Sequence, residues 1–318
     1  MDHYLSRTPD IFMARKEMHT FGSDLHFGPQ FFRRSTKEYL AEFEITGGKH
    51  CAGEASVWYL FSTQAAAEIK AFNPDARIII MLRDPVEMLH SLYYTFRWDG
   101  NEYLPTFCAA LAAEGERRAG CLLNRQTYLA QGLVYRDTVR YTEQVTRYFD
   151  VFGRDRVHVI IYDDLCRDAA AVYRRVLDFL GVDSKFAPDD FKAVNGNQYV
   201  KSTALRSLLS DPIVRSTILA IRPCLPRVAF RAMQNIDARI RKLNSRPADR
   251  PVLEPELERE LRAEFAPQVE KLSALLGRDL THWSSEFGHR QPGPESLCAP
   301  ENVSPASAYP KHAGSLVT

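Results

Sequence analysis

The chain has 318 residues, 45% of them hydrophobic and 25% charged, which is the balance of an ordinary globular protein with a substantial core. Its formal net charge of +1 excludes a globally basic nucleic-acid binder and leaves open only a local basic pocket. The six cysteines (Cys51, Cys108, Cys121, Cys166, Cys224, Cys298) are scattered without a C-x-x-C pair, so they read as free thiols of a reducing compartment and not as a zinc site or disulfide framework. No apolar run approaches the ~20 residues of a membrane span, and the opening MDHYLSRTPDIF lacks a signal-peptide pattern, so a cytoplasmic location is expected.

In chain order, residues 1–8 read as the end of a helix, stopped by Thr8-Pro9. Residues 49–56 are a weak strand candidate. A helix follows from about Ser62, a suitable N-cap, to Phe72, ahead of Asn73-Pro74. Arg77 to Leu82 is the clearest strand, apolar after its first residue, as a strand buried on both faces requires. Asp84-Pro85-Val86-Glu87 then starts a helix, with Asp84 as N-cap, Pro85 in the first position and Glu87 completing a capping-box-like pattern. Helical periodicity returns over 102–115, 122–131 and 135–150. Val157 to Tyr162 is the next strand, followed by an Asp163-Asp164-Leu165 turn and a helix over 169–180 closed by Gly181.

After about residue 200 the pattern is helical, with Glu254 to Leu276 the best stretch. The cationic segment 218–241 reads as a broken helix pair because of Pro223 and Pro226, with a membrane or partner surface as the alternative. From about residue 291 Pro, Ser, Gly and Ala dominate without period. One domain over 1–290 with a disordered tail over 291–318 is therefore expected. Strands alternating with helices predict an α/β fold with a parallel sheet and a helical C-terminal half.

Arg83 stands at the carboxyl end of the clearest strand, where open α/β sheets bind ligands, and it carries a permanent bidentate anion fork. The next helix points its N-terminal partial charge at the same place, and Ser91 lies two turns along it. Either Arg83 and Ser91 hold an anion, or Arg83 merely pairs with Asp84 or Glu87 at the helix start.

The wording "LRDPVEMLHSLYY" resembles the sulfotransferase segment that binds the 3′-phosphate of 3′-phosphoadenosine 5′-phosphosulfate (PAPS). Arg83 and Ser91 fall on the two family positions that contact that phosphate, while Met88 stands where many relatives have arginine. "NPDARIIIML", "GEASVWYL" (with Val57 for the usual proline), "VIIYDDL" and "VLDFLGV" resemble further family segments, so the likeness covers roughly residues 3–200. It implies a P-loop NTPase-like three-layer sandwich, PAPS as donor co-substrate, no metal, and a small-molecule or glycan acceptor.

"ARKEMHTFGSD" packs Lys16, Glu17 and His19 into four positions. By itself this reads as an exposed charged loop. It is similar to a Lys-Glu-x-His-x-Phe segment in the branch with glucosaminyl 3-O-sulfotransferases, which implies Glu17 as catalytic base, His19 as its helper and Lys16 as a nearby cation. A sulfuryl group moving in line between oxygens needs the attacking hydroxyl deprotonated and the leaving phosphate neutralised. A carboxylate between Lys16 and His19 is expected to stay ionised.

The family also has a first strand and a glycine-rich loop that grip the 5′-phosphosulfate, and neither is found in this sequence. Gly47-Gly48-Lys49 has no following Ser or Thr and lies downstream of Glu17, so it is not that loop. The expectation is a sulfotransferase lacking its first strand and loop, with a catalytically inactive, truncated nucleotide- or glycan-binding relative as the alternative. Asn195, Gly196 and Lys201 are either a nucleotide-covering loop or a surface turn.

Overall fold

The alternation of short apolar runs with amphipathic segments produces paired parallel strands covered by helices. The computed structural model describes residues 1–14, 16–28, 35–44, 49, 51–182 and 251–285, with residues 188, 191, 198–200, 239–240 and 243–247. Asn195, Gly196, Lys201, nearly all of 218–241 and the tail 291–318 lie outside the described residues.

A one-turn helix α1 (Asp2–Leu5) leads into strand β1 (Ile11–Met13), which the sequence pattern did not reveal because it is only three residues long. Helix α2 (Thr36–Ala41) carries a full capping box from Ser35 and Glu38. Strand β2 (Cys51–Gly53), shorter than the expected 49–56, pairs in parallel with β1, Ile11 opposite Cys51. Helix α3 (Ala65–Phe72) has Gln64 and not the expected Ser62 at its N-cap, and the Ser62 hydroxyl supports the helix start by accepting the amides of Gln64 and Ala65 at 3.1 and 2.9 Å.

Strand β3 (Ile78–Leu82) is parallel to β4 (Val157–Ile161), Ile78 opposite Val157. Between them run α4 (Pro85–Asp99), α5 (Phe107–Ala112), α6 (Glu114–Arg118), α7 (Tyr135–Thr138) and α8 (Tyr141–Phe152). The periodic stretch 122–131 is not a helix: Asn124 closes a turn onto the amide of Gln126, and the Asn101 side-chain carbonyl takes the amides of Tyr128 and Leu129. The stretch 102–115 becomes helical only at Phe107, after Pro105 and with Thr106 as N-cap. The expected Asp163 turn is a short helix, α9 (Tyr162–Arg167), followed by α10 (Ala169–Leu180), which Gly181 ends in the left-handed region at φ 70°. A short antiparallel pair, β5 (Gln198–Val200) with β6 (Ser245–Pro247), interrupts the half expected to be helical, and α11 (Pro255–Leu276) is the long helix there.

Three layers result. Ile80 and Leu82 of β3 and Val157 and Ile161 of β4 face a core built by α4, α8 and α11, including Leu89, Val145 and Phe265. On the opposite face, Ile160 packs with Tyr4, Ile11 and the α10 residues Val172 and Leu177, and Ile79 joins them partly buried. Ile11 and Ile160 share that apolar layer although their ladders are separate two-stranded sheets. Burial on both faces, expected for the whole of β3, holds only in part: Met81 is 37% exposed, and Ile78 and Ile79 are half-buried. β3 pairs only with β4 and has no strand on its other edge among the described residues, so its apolar run is only partly covered.

Candidate active site

Each candidate side chain follows the carboxyl end of a parallel strand: Glu17 and His19 after β1, Glu54 after β2, Arg83 after β3 and Tyr162 after β4. This is the edge where α/β sheets present ligand-binding groups.

The turn after β1 is unusual. Glu17 and His19 both adopt left-handed backbone conformations, φ 56° and 49°, which non-glycine residues avoid at a cost on the order of 1–3 kcal/mol each. The Glu17 amide donates to the carbonyl of Ala55 at 2.9 Å, and the Val57 amide donates to its carboxylate at 3.4 Å. His19 Nε2 lies 3.7 Å from Glu17 Oε2, and the His19 ring, buried, packs on Phe27 at 4.3 Å between centroids. Burial pushes the Glu17 carboxyl up to about 7, only partly countered by the Val57 amide and Lys16. Burial lowers His19 to about 4, so at neutral pH it is uncharged. The expectation of a plainly ionised Glu17 is therefore corrected: desolvation outweighs the cation, and Lys16 turns its ammonium to Asp2 at 3.1 Å.

A second layer supports this turn. Ser56 donates its hydroxyl proton to Glu54 at 2.8 Å and accepts the amides of Met18 and His19 at 3.1 and 3.5 Å. Tyr59 donates to the other Glu54 oxygen at 2.9 Å and accepts the amides of Thr20 and Phe21 at 3.0 and 3.3 Å. Sequence reading singled out "GEASVWYL" without giving these residues a task. The signal was present, but the partners lie about forty positions apart.

Arg83 and Ser91 belong to the β3–α4 junction. Asp84 caps α4 by accepting the amides of Val86 and Glu87 at 2.9 and 3.3 Å, as expected. Glu87 does not complete a capping box. It turns back instead, and its Oε2 accepts Arg83 Nε at 2.9 Å and Nη2 at 2.5 Å. The guanidinium also lies over the Tyr162 ring at 5.0 Å. Ser91 is half-buried on the second turn of the same helix, its carbonyl taking the Thr95 hydroxyl at 3.0 Å. The junction is anchored from behind by Arg262 of α11, which pairs with buried Asp84 at 2.9 Å. Asp163 accepts from His282 and from Trp283 Nε1, each at 2.8 Å, and Asp164 pairs with Arg278. Lys49, rejected as a phosphate-loop lysine, donates to the carbonyl of Ile11 at 3.0 Å.

A solved sulfotransferase from Alicyclobacillus acidocaldarius superimposes with a TM-score of 0.63 at 32% identity, over 89% of this chain and 92% of that one. The chain belongs to the sulfotransferase family. The family's sequence model, described as "Sulfotransferase family", matches residues 32–187. Human and mouse carbohydrate sulfotransferase 15 are 26% identical over 125 residues, which is 36% of this chain and only 22% of theirs. No helix among the described residues is long and apolar enough to cross a membrane.

Proposed function

We propose that this sulfotransferase moves a sulfuryl group from PAPS to a hydroxyl of a carbohydrate acceptor. The observation that carries this reading is the Glu17–His19 pair: a carboxyl raised to about 7 beside a neutral histidine, held in a strained turn at a strand end. A base poised near neutral pH is matched to removing a hydroxyl proton during transfer. Similarity to carbohydrate sulfotransferase 15 favours a sugar acceptor.

Arg83 fits a nucleotide 3′-phosphate in charge and in donor geometry. Its two donors to Glu87 share one carboxylate oxygen, and a guanidinium has five in all. Ser91 on the same helix would supply a hydroxyl. In this reading Arg83 and Ser91 hold the nucleotide, Glu17 takes the acceptor's proton, and His19 orients the Glu17 carboxylate. Lys16 lends positive charge beside it.

Transfer of labelled sulfate from PAPS to a panel of glycans, together with calorimetric binding of 3′,5′-adenosine bisphosphate, tests the reading. Arg83→Ala should weaken nucleotide binding about tenfold or more, through loss of a charge-assisted fork. Equal affinity in that variant removes Arg83 from the nucleotide site. Nucleotide binding with no transfer to any glycan would instead select the second reading, a binding protein without turnover.

A further inference from the structure

One carboxylate organises the backbone of the turn that carries Glu17 and His19. Glu54 is an acceptor-only group when ionised, so it draws the hydroxyl protons of both Ser56 and Tyr59 toward itself. Each hydroxyl is thereby left with its lone pairs facing the neighbouring segment. Each is used to capacity, donating once and accepting twice, and together they take the four consecutive amides of residues 18–21. Burial and then the charge of the same carboxylate raise the phenol of Tyr39 above its ordinary value.

We propose that Glu54 is a positioning residue for sulfuryl transfer: by fixing the polarity of the Ser56 and Tyr59 hydroxyls, it holds the 18–21 backbone so that Glu17 and His19 stay in their left-handed conformations, facing one another. The role follows from the strain. Two non-glycine residues in that region, separated only by Met18, relax unless neighbouring groups over-determine them. Here the over-determining groups are the four amide bonds and the Glu17 amide bond to Ala55, one residue past Glu54. The inference rests on reading Glu17 as the base, but the arrangement it describes can be measured without turnover.

The groups facing Glu17 are Asp2, Lys16, His19, Glu54 and Tyr128, and the Glu54 charge itself disfavours ionisation of Glu17. Replacing Glu54 by glutamine removes that charge. It also puts an NH₂ against one of the hydroxyls, reversing that arm so that the hydroxyl can no longer accept both amides. Both changes move the Glu17 titration downward, because a loosened turn is also a wetter one.

The experiment is a pH titration of ¹³C-glutamate-labelled protein by NMR, with the Glu17 signal assigned through Glu17→Gln, alongside amide spectra. In Glu54→Gln the Glu17 midpoint should fall by about one pH unit and the amides of 18–21 should shift, with the far-UV circular dichroism retained. Transfer should fall about tenfold in kcat with the donor KM unchanged. If Glu54→Gln fails to fold, Ser56→Ala should move amides 18 and 19, and Tyr59→Phe amides 20 and 21. An unchanged midpoint and unchanged amides in all folded variants overturn the proposal. Variants that respond as described, in a protein whose wild type transfers nothing, uphold the hold of Glu54 on the Glu17–His19 turn and refute only the catalytic reading of Glu17.

Discussion

Glu17 is a carboxyl whose fold raises its proton affinity, and two consequences of opposite value follow. As a base it must be ionised, so the transfer rate should climb about tenfold per pH unit below about 7 and level off above it. A pH–rate profile on the wild-type protein checks this, and Glu17→Gln should lower the plateau by on the order of 10²-fold or more. For stability the sign is reversed. A raised acid favours the folded state fully below the unfolded value of 4.5, and that contribution is lost as pH rises through about 7. Glu17→Gln should therefore melt higher than wild type at pH 8, and the advantage should shrink toward pH 4. His19, depressed from 6.5 to about 4, works the other way: its contribution is present above 6.5 and is lost on acidification toward 4. Arg83 and Ser91 drew attention by their place at a strand exit, whereas Glu17 and His19, which spacing alone reads as an exposed charged loop, were singled out only by resemblance to a family segment. What the sequence could not supply is the balance at Glu17, where burial, a tertiary property, overrides the adjacent Lys16.

At the scale of elements, the start of α4 is held at both ends of its cap. Asp84 accepts two helix amides and also pairs with Arg262, both side chains being nearly inaccessible at 9% and 5% exposure. Removing one member of such a buried pair leaves the other charge uncompensated, at a cost of about 3–5 kcal/mol. Arg262→Ala should show this as a lowered denaturant midpoint, and loosening of the cap should also weaken nucleotide binding through Arg83, one residue away. The cap itself was legible from Asp-Pro-x-Glu, since it depends on neighbours in sequence. The turn of Glu87 toward Arg83 was one of the two readings left open for Arg83, but the partner at position 262 was not foreseen: side chains choose among competing partners that only the folded chain brings near. The helical period over 122–131 misled for the same reason, because Asn101 and Asn124 offer its backbone better bonds than a helix would.

Over the whole molecule, α11 is the element that ties the late part of the chain to the early part. Leu261, Phe265, Val269 and Leu272 are each about as buried as Leu89 of α4, in the same core. Phe265→Ala should cost about 3–5 kcal/mol, and should lower a single cooperative transition observed by both circular dichroism and tryptophan fluorescence. Two separated transitions would mean that α11 belongs to an independent unit. The α/β fold with parallel strands was legible because alternating strands and helices admit few arrangements, and the three layers were implied by the family resemblance. The division of the strands into two ladders under one shared apolar layer was not, since β1 is too short to announce itself.

The anchoring of the strand exits also sets an order in time. A chain emerges from its amino end, and domains tend to fold as their parts become available. Asp84, Asp163 and Asp164 are synthesised long before their partners Arg262, Trp283, His282 and Arg278. Until those residues appear, the aspartates behind the Arg83 junction must remain hydrated and α4 must stay loosely docked. The junction proposed to bind the nucleotide is thus braced only after residue 262 emerges, so a stalled nascent chain released short of that point should carry the whole Glu17 turn and yet fail to retain nucleotide.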